Sequence, residues 1–160
     1  MNPADNPTPP RRKRPGLPFL AVVLLALLAA PRVVLHDLGI IQEGTLVNAV
    51  FVFVPPLVWI AVVLWRRVPN PFLTLLVVGV VYGLFLMVGH QILWTTAWDG
   101  DPPTLGGNLS ELPPVAHAMV TRGFAALSSV VTGTLVGAVC GLLAWGASRV
   151  IHRRRRAPTA

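Results

Sequence analysis

FLTLLVVGVVYGLFLMVGHQILWTTAWDGDPP (residues 72–103) begins as nearly unbroken hydrocarbon and ends in a histidine, a glutamine, threonines, two tryptophans and two aspartates. Its apolar part has the length of a membrane span, since an α-helix needs roughly 20 apolar residues to cross about 30 Å of hydrocarbon. The run lacks the alternation of a barrel strand, and lipid offers no partner for an unpaired backbone group, so a helix is the conformation that fits. The polar residues then mark where that helix leaves the bilayer.

Three more runs read the same way. The four spans are expected at 17–35, 46–65, 72–94 and 124–150, in a chain of 160 residues that is 54% hydrophobic and only 12% charged. Such a composition is too apolar for a soluble domain of this length. The expected fold is therefore all-α: a polytopic integral membrane protein whose residues 17–152 form a bundle of four transmembrane helices. Residues 1–16 are expected as a disordered basic tail, 95–123 as the sizeable loop, and 153–160 as a basic C-terminal tail. Cys140 is the single cysteine, which excludes an intrachain disulfide and a multi-cysteine metal site.

The net charge of +7 invites a nucleic-acid reading, but the positions of the charges oppose it. Arg11, Arg12, Lys13 and Arg14 precede the first span, Arg66 and Arg67 follow the second, and Arg149 and Arg153 to Arg156 follow the fourth. With four crossings these all lie on one side, and the positive-inside rule makes that side cytoplasmic. Both termini are then expected in the cytoplasm. The expected location is the cell membrane of a bacterium, to which the arginine-heavy, lysine-poor composition points. The opposite side carries Asp37, Glu43, Asp99, Asp101 and Glu111, with Arg32 and Arg122 as its basic residues. The expected partners are the bilayer, with anionic headgroups drawn to the basic tails at about 1 kcal/mol per residue, and a second copy or another membrane protein; no nucleic acid is expected. The basic and apolar regions before Ala30 also resemble a secretory signal, but apolar character continues past that position, so a retained anchor is expected. Trp65 and Trp145 are placed at one interface and Trp94 and Trp98 at the other.

Small residues indicate how the helices pack. Gly133, Gly137 and Gly141 recur every four residues in the fourth span, with Ser129 continuing the row, and Gly79 and Gly83 form a matching pair in the third. Such spacing lets backbones approach closely, which drives association where lipid removes the hydrophobic effect between helices. That surface is expected to serve inside the monomer or in a homodimer. Pro55 and Pro56 near the middle of the second span remove two amide donors and are expected to kink it. Asn48 is placed to make one interhelical hydrogen bond.

Rise per residue puts Arg32, His36, Asp37, His90, Gln91 and Arg122 at similar heights near the non-cytoplasmic edge, forming a candidate polar cluster. Arg122 projects about 20° from Gly133 on an ideal helix, so it shares the packed face. Three functions compete for this cluster. It ties helices and loop together through Arg–Asp pairs and His or Gln hydrogen bonds in a non-enzymatic accessory, scaffold or self-associating subunit. Alternatively it is the substrate or ion site of a small transporter or channel. The third reading is a metal or haem site, with His36, His90 and His117 as candidate ligands, although no tight ligand spacing supports it. The first reading is the expected one, with no cofactor and no enzymatic activity, because Ser128 and Ser129 lie more than a turn of helix deeper than any histidine that would activate them.

Overall fold

The computed structural model describes residues 16–154. Most of the two tails, 1–15 and 155–160, therefore lies outside the described residues. The described chain is all-helical, and four of its helical stretches are long and apolar enough to cross a membrane. The first is α1 (Phe19–Ala29) continued by α2 (Pro31–Asp37), the second α3 (Leu46–Trp65), the third α4 (Pro71–Ile92), and the fourth α6 (Pro114–Arg154); a short α5 (Trp94–Ala97) follows α4.

The first span lies two residues later than expected, at Phe19–Asp37, and two larger differences each have a local reason. The first span is interrupted because Pro31 has no amide proton to give Leu27; the Ala30 N–H bonds the Leu27 carbonyl instead at 3.1 Å. The fourth helix begins at Pro114, not near 124, so the expected loop 95–123 contracts to 98–113, which holds one turn of 3-10 helix at Gly107–Leu109. His117, Thr121 and Arg122 had interrupted the apolar run, but proline at a first helical turn and the helix-forming residues after it carry the backbone through them. At 41 residues, α6 is about 61 Å long. That is roughly twice the thickness of the hydrocarbon layer.

Helix ends are fixed by side chains and turns. The Thr45 hydroxyl accepts the Asn48 amide at 3.2 Å to start α3, and the Asn70 side chain accepts the Leu73 amide at 3.1 Å ahead of Pro71 to start α4. α2 stops in a Schellman turn: Gly39, at φ 68°, donates to His36 O at 2.9 Å, and Ile40 donates to Leu35 O at 2.9 Å. α3 stops in the same way, except that the left-handed position is held by Arg67 at φ 50°. Arg67 donates to Leu64 O at 3.1 Å, and the buried Val68 donates to Val63 O at 3.2 Å.

The closest helix pair is α4 with α6, and glycine makes it possible. A Cβ built on Gly137 would stand 2.5 Å from Leu75 O and 2.7 Å from the Gly79 Cα, and one on Gly83 would stand 2.9 Å from the Val130 Cα. One on Gly133 would meet Gly83 backbone atoms, and one on Gly141 would lie 2.9 Å from Phe72 O. Backbone therefore lies on backbone along an antiparallel seam, and the glycine row is spent within the chain. Ser129, also buried on this seam, returns its hydroxyl to Ala125 O at 2.8 Å. Around it are buried Val22, Ala26 and Val33 of the first span, Trp59 and Val63 of α3, and Leu75, Val78 and Leu86 of α4. α3 continues as helix through Pro55 and Pro56. One turn later the fully buried Trp59 donates its indole N–H to Leu25 O at 2.6 Å and meets the Tyr82 ring edge-on at 5.7 Å. Together these contacts bind α1, α3 and α4 in the apolar interior.

Candidate functional site at the polar end of the helices

The interior just described is apolar up to the level of Leu86, and the ionisable residues gather beyond it. Asp37 is the last residue of α2, placed there by the turn at Gly39. Its side chain is 4% exposed. A carboxylate in this position is doubly disfavoured: it has lost water, and it stands at the negative end of the helix dipole, which alone costs about 0.3–1 kcal/mol. Hydrogen-bond donors offset this. His90, in the last turn of α4, brings Nδ1 to 2.6 Å from Asp37 Oδ2, and His36 brings its Nδ1 to 3.4 Å from Oδ1. The other nitrogen of His36 faces Glu43 Oε1 at 3.6 Å. Glu43, His36, Asp37 and His90 thus form a linear chain of alternating carboxylates and imidazoles.

Proton counting restricts the states of this chain. Oxygen and nitrogen at 2.6 Å require a proton between them, so His90 carries its hydrogen on Nδ1 when Asp37 is ionised. His36 has a carboxylate opposite each nitrogen, whereas a neutral imidazole owns one N–H and one lone pair.

The remaining members of the expected cluster do not join this chain. Arg32 Nε donates to Asn48 Oδ1 at 3.1 Å, linking α2 to α3 through the residue singled out for an interhelical bond. Gln91 Nε2 donates to the Arg122 carbonyl at 3.1 Å, linking α4 to α6, while the Arg122 guanidinium lies 5.1 Å over the Trp94 ring. The expected Arg–Asp pairs do not form among the described residues, where the ion pairs at this end are all between histidine and carboxylate. Trp94 is buried, not displayed at an interface, and takes its place beneath the guanidinium. A favourable cation–π contact replaces ion pairing there.

His117 stands apart from the other two histidines. It lies on the first turn of α6, where its Nε2 accepts the Leu105 amide at 2.8 Å and ties the 98–113 loop to the helix. Beside it is an open cleft of about 580 Å³ lined by Trp94, Pro102, Leu105, Leu112, His117 and Thr121, among others. No three histidine, cysteine or carboxylate groups among the described residues are placed to share a metal ion. His36, His90 and His117 therefore do not form one donor set in this arrangement. The His117 tie could not be found in sequence, because its partner is a backbone amide that no residue type announces.

No known protein family, curated protein or solved structure matches this chain.

Proposed function

We propose that this protein is a non-enzymatic structural subunit of a bacterial cell-membrane assembly: a four-helix transmembrane bundle with both termini cytoplasmic that associates with a membrane-protein partner or a second copy of itself. The observation that carries this reading is α6. Seamed to α4 by glycine along its middle, it is 41 residues long, about twice what one bilayer crossing needs, and presents Val115 and Met119 exposed near its N-terminal end. A stiff rod anchored in this way suits attachment better than transport.

Two further observations support it. The polar side chains at the far end are occupied with one another and with backbone, and the space beneath them is filled by apolar side chains, not by a polar path. The orientation rests on the arginines of the 66–67 turn and of the two tails, which face the cytoplasm under the positive-inside rule and attract anionic headgroups.

Native mass spectrometry of the protein released in particles of its own membrane tests the assembly. A fixed stoichiometry with a second membrane protein, or a homo-oligomer, is expected. A lone chain under conditions that preserve other membrane complexes, or a steady ion flux from the purified protein in planar bilayers, would overturn the reading. For the orientation, a cysteine placed at Thr104 in a Cys140→Ala background should react with an impermeant reagent from outside intact cells, and one at Asn6 should not.

A further inference from the structure

The histidines at the polar end use their nitrogens in opposite senses, and this has a consequence for protons. His117 Nε2 accepts a hydrogen bond from a backbone N–H at 2.8 Å. An amide can only donate, so that nitrogen must hold a lone pair, and the tie exists only while the imidazole is neutral. His90 and His36 face carboxylates, where an added proton on the imidazole turns an N–H-to-carboxylate contact into an ion pair. Acid therefore removes one contact and strengthens the others.

We infer that this end of the protein is a proton-binding site that works as a switch: acidification releases the 98–113 loop from His117 at the rim of the cleft beside Trp94, while the α2–α4 contact at Asp37 holds or tightens. Imidazole is the side chain that ordinarily changes charge between about pH 8 and pH 5. The sign follows from the bonding. The loop tie is present at the upper end, where His117 is neutral, and is lost as pH falls. The Asp37 contacts gain over the same fall and weaken only when the carboxylates themselves become protonated.

The 98–113 loop itself carries three carboxylates, Asp99, Asp101 and Glu111, all exposed. Among the residues lining the cleft, His117 is the one imidazole and none is a carboxylate, lysine or arginine; Arg122, further along α6, is occupied with Trp94. Around Asp37, α1, α3 and α5 contribute no titratable side chain. α2 contributes Arg32 and His36, the segment after it Glu43, and α4 Tyr82 and His90. Arg32 is charged throughout the window and engaged with Asn48.

Loop release and general loosening are separable with spin labels on the full chain in lipid nanodiscs, in a Cys140→Ala background. One label goes on Gly106→Cys, an exposed position with nothing within 4 Å of an added Cβ, and another on Leu38→Cys, 43% exposed beside Asp37. Nanodiscs bathe both faces at one pH, so the result does not depend on the orientation proposed above. From pH 8 to pH 5 the mobile fraction at position 106 should rise about fivefold, the weight of one hydrogen bond, while that at position 38 stays level or falls. His117→Gln, whose side-chain carbonyl accepts the same amide without titrating, should abolish the response, and His117→Ala should leave the loop mobile at both pH values. An equal response in His117→Gln, no response with His117 present, or equal loosening at both labels would each overturn the inference. Should the Gln variant fail to fold, ¹⁵N-histidine spectra of the unsubstituted protein decide: the His117 signal must change from neutral to protonated along with the label at 106.

Discussion

Gly137→Ala isolates the α4–α6 seam, because α6 carries its own control. A Cβ at position 137 would lie 2.5 Å from Leu75 O, whereas one at Gly146, on the same helix, has nothing within 4 Å. Both substitutions change helix propensity alike, so their difference reports the tertiary contact. Ordinary contact begins at about 3.4 Å, so α4 and α6 must separate by roughly 0.9 Å at that level, and overpacking of this kind costs about 1–3 kcal/mol. Separation also loosens the contacts at Gly79 and Gly133, because the backbones are stiff and in register, which places the expected loss in the upper half of that range. Reversible unfolding in mixed micelles, followed by circular dichroism, gives both values in one experiment. Gly137→Ala should lie about 2 kcal/mol below Gly146→Ala, which by itself should be neutral or gain up to about 1 kcal/mol, and Gly137→Leu should fail to form the native helix pair. Equal stabilities for the two alanine variants would refute the backbone-on-backbone seam, whatever the oligomeric state.

The other predictions concern single contacts and use the same unfolding measurement. Trp59→Phe removes the indole N–H that reaches Leu25 O at 2.6 Å in a fully buried site. It should cost about 1–2 kcal/mol, and an unchanged transition would show that this bond does not tie α1 to α3. His90→Ala leaves the buried Asp37 carboxylate without its shortest donor and should cost about 1–3 kcal/mol; the double variant Asp37→Leu with His90→Leu should be less destabilised than His90→Ala alone, and the opposite order would contradict burial of an ionised carboxylate. Arg67→Gly relieves a left-handed backbone at φ 50° and should raise stability by about 1 kcal/mol. A fall in stability there would mean that the arginine side chain contributes more than its backbone costs.

How much of this could be read in advance depends on the range of the forces involved. The four spans follow from hydropathy alone, because the need to satisfy every backbone group in lipid leaves a long apolar run one conformation; 46–65 was placed at the boundaries the structure shows, and 72–94 within two residues. The pairing surfaces on α4 and α6 were also legible, since a row of glycines is a local pattern with one main physical use. The break at Pro31 carried a local signal that the apolar run concealed, and the early start of α6 was concealed by polar residues that interrupt the apolar run without interrupting the helix. Height along the helices was readable for the polar residues, but neither their pairing nor the inclusion of Glu43 was. Rise per residue places Arg32, His36, Asp37, His90, Gln91 and Arg122 near one level, yet which side chain reaches which depends on helix rotation and on contacts a few ångströms long. Only the tertiary structure gave Asp37 to His90 instead of to an arginine, turned Arg122 onto Trp94, and fixed His117 to the Leu105 amide. Those choices turn on distance and direction, to which hydrogen bonds are steeply sensitive and which sequence spacing does not encode.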